Sequence, residues 1–171
     1  MSFIKLRTKF FIENYQKIYR VISYGDRISY YRTIGAEHLL TTLPEQIRHK
    51  FTILEMKVVD NVPPHTDSRI TCTINFYIIT GNFETKFYFL KNHNVNTWQT
   101  PGQSNGVIYS KNDLIFTESF VAQDGDVYML DVTKPHSVES AEPTDRYALC
   151  LQTSFYSFEE VKNFLSLENL I

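Results

Sequence analysis

Between residues 51 and 153, apolar and polar positions alternate over short runs, the pattern of strands buried on one face. The runs are 51–59, 69–80, 85–90, 107–109, 114–121, 127–132 and 146–153. Gly81-Asn82, Pro101-Gly102, Asn105-Gly106, Asp124-Gly125 and Pro143 punctuate them, and each supplies the backbone freedom or fixed φ that a turn needs. About seven short strands separated in this way predict a barrel or a two-sheet sandwich. Ahead of them, Phe11, Tyr15, Ile18 and Ile22 recur at helical spacing, although the β-rich composition leaves a strand open there. A Gly25-Asp26 turn and a strand-like run over 28–34 follow. Over 36–50, Leu39, Leu40, Leu43 and Ile47 share one helical face, and Pro44 splits the segment into two short helices. The chain closes on Ser157-Phe158-Glu159-Glu160, a capping box, and Phe158, Val161, Phe164 and Leu165 continue as an amphipathic helix.

This organisation reads as a single domain over 1–171. Residues 1–50 are mixed support, 51–155 a β core and 156–171 a C-terminal helix. A chain of 171 residues with 43% hydrophobic positions, including 13 Phe and 11 Tyr, can bury one real core and is not disordered. The net charge of −2 argues against a nucleic-acid protein, which relies on a broad basic face; a local patch of Arg69, Lys86 and Lys91 is the most such a partner would find. The two cysteines, Cys72 and Cys150, lie in apolar runs and read as reduced core thiols. The first residues lack the apolar stretch of a secretory signal, and no membrane span is visible. The expectation is a soluble cytoplasmic protein. Nothing in the sequence decides the oligomeric state.

The chemistry gathers on a few polar residues. In Pro63-Pro64-His65-Thr66-Asp67, an extended backbone places His65 and Asp67 on one face, so both can aim at one point. A third ligand is offered by His136 in Lys134-Pro135-His136-Ser137-Val138. Two imidazoles and one carboxylate on one face of an octahedron leave positions open, the donor set of non-haem Fe(II) chemistry with oxygen. A hairpin spanning 136–146 would bring Arg146 beside the histidine, where a guanidinium can pair bidentately with the carboxylate of a small acid. Ala148 and Cys150, on the face of Arg146, are small enough to leave room inside. If the parity of His65 and Asp67 continues without a bulge, Arg69, Thr71, Thr73, Asn75 and Tyr77 point inward, and Ile70, Cys72, Ile74, Phe76 and Ile78 lie under the N-terminal helices.

Pro-His65-Thr-Asp67, the Gly125-Asp126 turn before a strand, Pro135-His136-Ser-Val and Arg146 together resemble the 2-oxoglutarate- and iron(II)-dependent oxygenase superfamily. Its small prolyl- and aspartyl-hydroxylase-like members, including compact phage versions, are the nearest in pattern. The resemblance covers roughly 51–155. It implies a double-stranded β-helix (jelly-roll, cupin-like) core, with Fe(II) held by His65, Asp67 and His136 and no catalytic residue beyond them. It also implies 2-oxoglutarate as cosubstrate, bound through Arg146, and O2 as oxidant. Asn75 and Tyr77 are candidates for lining the cosubstrate pocket, and Arg69 and His93 for touching substrate. The implied reaction is hydroxylation of a C–H bond of a peptidyl residue, amino acid or small metabolite, with release of succinate and CO2. The chain is short for this fold and has no evident substrate-recognition insert.

Two rival readings stand beside it: a cupin-like metal enzyme of different chemistry, and a non-catalytic jelly-roll binding or structural module. His38 and His49, on the helical segment, read as surface or capping residues. Trp98 reads as a core residue in preference to a substrate-facing lid residue, and the aromatics of 83–89 as packing.

Overall fold

The computed structural model describes residues 1–10, 14–24, 27–67, 69–92, 97–99 and 106–171, with backbone alone at 24 and 97–99. Thirteen strands are found among them: β1 Phe3–Lys5, β2 Gln16–Tyr24, β3 Ile28–Ile34, β4 Thr52–Val58, β5 Val62–Thr66, β6 Cys72–Ile79, β7 Glu84–Leu90, β8 Thr97–Gln99, β9 Val107–Tyr109, β10 Leu114–Val121, β11 Val127–Leu130, β12 His136–Glu139 and β13 Arg146–Thr153. They form two antiparallel sheets. Sheet A runs β1-β11-β6-β13-β4-β3-β2, and sheet B runs β10-β7-β12-β5-β9-β8.

In chain order, β4, β6, β11 and β13 fall in sheet A, and β5, β7, β10 and β12 in sheet B. Over β4–β7 and again over β10–β13 the chain therefore passes from sheet to sheet at every connection, which makes the core a double-stranded β-helix of the jelly-roll, cupin-like type. Closing two sheets on each other buries one face of each. Tyr30, Met56, Tyr77, Phe87, Phe120, Leu130, Val138 and Ala148 fill that interior.

The other face of sheet A is buried as well. Ile74, Phe76, Met129, Leu149 and Leu151 pack under Leu39, Leu43 and Ile47 and under Phe158, Val161 and Leu165. The first group of covering residues comes from a 3-10 turn (Glu37–Thr42) and helix α1 (Glu45–Arg48), which meet at Pro44 as expected; the second comes from α2 (Phe158–Leu167). Both halves of the capping box at Ser157 and Glu160 are formed. Because β6 and β13 are covered on both sides, the face under the helices supplies apolar burial that the polar inward positions do not. Each buried aliphatic side chain on the covered face contributes about 1.5–3 kcal/mol by leaving water.

Three expectations are corrected. The helical spacing ending at Ile22 belongs to strand β2, and Phe11 lies outside the described residues. β2 carries register shifts between Lys17 and Tyr19 and between Arg20 and Ile22. Each extra residue flips the parity, so apolar positions recur at three or four instead of two. The 136–146 hairpin does not form: β12 pairs with β5 and β7 in sheet B, whereas β13 pairs with β4 and β6 in sheet A. The inward run does not extend to Arg69 and Thr71 either. The strand breaks after Thr66, Arg69 is exposed with φ at 60°, and Thr71 donates its hydroxyl to the carbonyl oxygens of Thr153 and Tyr156.

Candidate metal centre

β5 and β12 lie side by side, and His136 stands opposite His65 in their register. The two rings are 4.3 Å apart, centre to centre. Asp67 follows β5 directly; its amide N–H donates to the Val132 carbonyl, which holds the carboxylate toward the same point. Asp67 Oδ1 is 3.5 Å from His65 Nε2 and 4.0 Å from His136 Nε2. One donor atom from each of the three residues falls within 4.8 Å of the others.

Each imidazole is aimed from within its own tripeptide. His65 Nδ1 donates to the Pro63 carbonyl at 2.8 Å, and His136 Nδ1 donates to the Lys134 carbonyl at 2.9 Å. A carbonyl can only accept, so each Nδ1 carries the proton and each Nε2 faces the shared point. In both cases a proline, Pro64 or Pro135, separates the carbonyl from its histidine. Its fixed φ favours the bent backbone that this contact needs.

The electrostatics divide the three groups. Burial, reinforced by the neighbouring His65, holds His136 down to about 4, so it is neutral at pH 7. Burial also lowers His65, but the hydrogen bond and charge of Asp67 outweigh it and raise the ring above its ordinary value. Burial raises Asp67, and the two imidazoles outweigh it in turn, leaving the carboxylate below its ordinary range. Without a metal, Asp67 faces Nε2 of His65 and favours a proton on it. A divalent cation would take the place of that proton. Two nitrogen donors and one ionised oxygen donor, each oriented by its own backbone contact, fit a first-row divalent metal with open positions.

A cavity of about 30 Å³ joins this point to the rest of the interior. Thr73, Asn75 and Tyr77 line it from β6, and Arg146, Cys150 and Gln152 line it from β13. The inward parity of β6 therefore holds over 73–77. Thr73 donates to Asn75 Oδ1 at 2.9 Å, and the Asn75 amide donates to the Tyr77 hydroxyl at 3.4 Å.

Arg146 is only 1% exposed. Both of its terminal nitrogens donate to Thr85 Oγ1 at 3.2 Å, and its guanidinium carbon lies 4.5 Å from the centre of the Tyr77 ring. Its Nε has no partner, and no carboxylate pairs with it among the described residues. A buried guanidinium partnered by one hydroxyl and one ring face is suited to an anion entering the cavity.

Arg146 thus reaches the cavity from the sheet opposite His136. Arg69 is not among the lining residues, and His93 lies outside the described residues. His38 and His49 are exposed, as expected, and only the backbone of Trp98 is described. Cys72 and Cys150 are both buried free thiols, and burial pushes both far up. Thr85 and Gln152 escaped the sequence reading. Gln152 shares the parity of Arg146, Ala148 and Cys150, which was enough to find it. Thr85 is a polar residue alternating with Phe83 and Phe87, a weaker signal.

No helix among the described residues is long and apolar enough to cross a membrane. No family model and no curated protein matches the chain. Among solved structures, the vicilin from Corylus avellana (hazelnut) is similar at 13% identity and a TM-score of 0.43, over 77% of this chain and 30% of that one. The vicilin from Solanum melongena is similar at 12% identity and a TM-score of 0.43, over 77% and 29%. The chain spans about 30% of the length of these solved chains. Likeness at this level speaks to neither ligand nor activity, so function has to be read from the chain's own side chains.

Proposed function

We propose that this chain is an Fe(II)- and 2-oxoglutarate-dependent oxygenase that hydroxylates a C–H bond of a peptidyl residue, amino acid or small metabolite. One observation carries the reading: a buried arginine with no carboxylate partner among the described residues lines the same cavity as a His/Asp/His donor set. Ferrous iron, with O2 and the 2-oxo acid, supplies the oxidation that turns C–H into C–OH while the cosubstrate leaves as succinate and CO2. His65, Asp67 and His136 would hold the metal, three donors that leave room for further ligands. Arg146 takes the distal carboxylate of the cosubstrate, and Thr85, already on both terminal nitrogens, keeps the fork oriented. Tyr77 supports the guanidinium from its ring face, and Asn75 and Thr73 offer polar groups along the way. Leu130, Val132 and Val138 line the rest and keep water out.

The rival reading, a metal-binding jelly roll without this chemistry, is favoured by the size of the cavity. About 30 Å³ holds roughly two waters, so a five-carbon diacid is seated only if lining side chains such as Met56 and Gln152 turn aside. Anaerobic calorimetry separates the two. Under the proposed reading 2-oxoglutarate binds only after Mn(II) or Fe(II), and the Fe(II) protein in air converts it to succinate. Metal binding with no 2-oxoglutarate binding and no succinate would favour the rival.

A further inference from the structure

On β7, Thr85, Phe87 and Phe89 share one face. Thr85 receives Arg146 and the Phe87 ring lies 5.7 Å from the His136 ring, so this is the face that looks into the site. Phe87 is fully buried, but Phe89, about 7 Å further along the strand, is 55% exposed. Opposite Phe89 in the register stands Ile115 of β10, 51% exposed. The register shift between Phe116 and Glu118 is what returns Ile115 to this face. Two large apolar side chains, paired across strands, thus lie open to water two positions along β7 from the residue whose ring neighbours His136.

We propose that Phe89 and Ile115 form a shelf that receives an apolar, aliphatic part of the substrate and sets it beside the metal centre. This inference deepens the proposed function and rests on it for the word substrate. It makes an aliphatic side chain, free or within a peptide, the substrate class, in preference to a nucleobase or a polar metabolite. Continuity with the face carrying Phe87 and His136 is what assigns the shelf to this occupant. Its size agrees. Two half-exposed side chains offer on the order of 200 Å², far below the roughly 800 Å² per partner that a stable dimer uses.

The test uses N-acetyl-leucinamide and N-acetyl-asparaginamide as probes, with the full chain and its Phe89→Ser/Ile115→Ser variant. Saturation-transfer NMR needs no metal and is expected to label the leucine methyl groups with the unsubstituted chain. In the variant, affinity for the leucine probe falls roughly tenfold, the scale of one lost apolar contact. The asparagine probe shows no labelling in either. With Mn(II) bound, the leucine methyl protons relax faster than they do with the metal-free protein.

Absence of labelling, or equal labelling of both probes, overturns the shelf. So does labelling without any Mn(II) effect once metal is bound, because the probe then sits elsewhere. Sedimentation covers the remaining occupant: a dimer that the double variant dissociates assigns these side chains to a second copy and overturns the proposal. Failure of the chain to bind Mn(II) sinks the metal reading instead, and saturation transfer alone then decides the shelf.

Discussion

The guanidinium of Arg146 lies 4.5 Å from the centre of the Tyr77 ring, and both residues are almost completely buried. A ring face and one hydroxyl return only part of what a guanidinium loses on leaving water. The metal-free protein therefore carries a destabilising cation, which an anion entering the cavity would offset.

Replacing that cation separates stability from binding. Arg146→Met, similar in reach and uncharged, is expected to leave the metal-free protein as stable or to stabilise it by about 1–3 kcal/mol, while abolishing 2-oxoglutarate binding and sparing Mn(II) affinity. Thermal unfolding and calorimetry on the same samples check both halves. Arg146→Lys keeps a charge but loses the fork, and it is expected to bind the diacid weakly.

Removing a donor acts on the metal. His65→Ala or Asp67→Ala is expected to weaken Mn(II) by more than about 100-fold, beyond the 10–100-fold typical of losing an outer partner of a ligand. If metal titrations with both variants match the unsubstituted chain, the site is wrongly assigned.

Protons set the pH dependence. His136 is held down to about 4 in the folded chain against an ordinary 6.5, so between those values the unfolded chain binds the extra proton and stability falls as pH falls. The loss amounts to about 3 kcal/mol over that window. His136→Asn is expected to flatten this part of the stability curve, measured by urea unfolding of the metal-free protein. His65 has the opposite sign. Its raised value gives stability that is complete below its unfolded value and is lost as pH rises through the folded one. Asp67, held low, contributes stability above its unfolded value that is lost as pH falls through the folded one. Because a metal must displace the His65 proton, Mn(II) affinity rises with pH through the raised value. Calorimetry in buffers of different ionisation enthalpy is expected to show proton release on binding.

Gly81 connects a turn to the arginine. Its φ is +60°, and a Cβ there would meet the carbonyl oxygens of Thr144 and Asp145 at 2.7 and 2.8 Å. Gly81→Ala is expected to cost at least about 1–2 kcal/mol from its backbone alone. By pushing the residues before Arg146 it also lowers 2-oxoglutarate affinity. Denaturant unfolding and a diacid titration read the two effects separately.

The strands over 52–58, 72–79 and 146–153 were legible because both sheet faces leave a period-two trace, with apolar residues under the helices and small or polar residues inward. β12 was not legible as a strand. It has four residues, and Val138 is its one strongly apolar member. β5 was hidden by Pro63 and Pro64, which sheets tolerate only where their missing N–H groups are not needed. The donor residues could be named because each belongs to a short extended motif. The path of the chain between them could not, since a separation of ten positions fits a hairpin within one sheet as well as a crossing to the other. The crossing delivers Arg146 to Thr85 and Tyr77, and only the assembled barrel reveals those partners.

The two imidazoles take their tilt from carbonyls two positions upstream, so folding has only to bring finished parts into line. A slip of one position between the fifth and twelfth strands would turn one ring toward solvent with its Nδ1 contact intact. Such a misaligned chain would remain compact and yet grip no cation, which makes metal capture a more sensitive gauge of correct strand alignment than any spectrum of secondary structure.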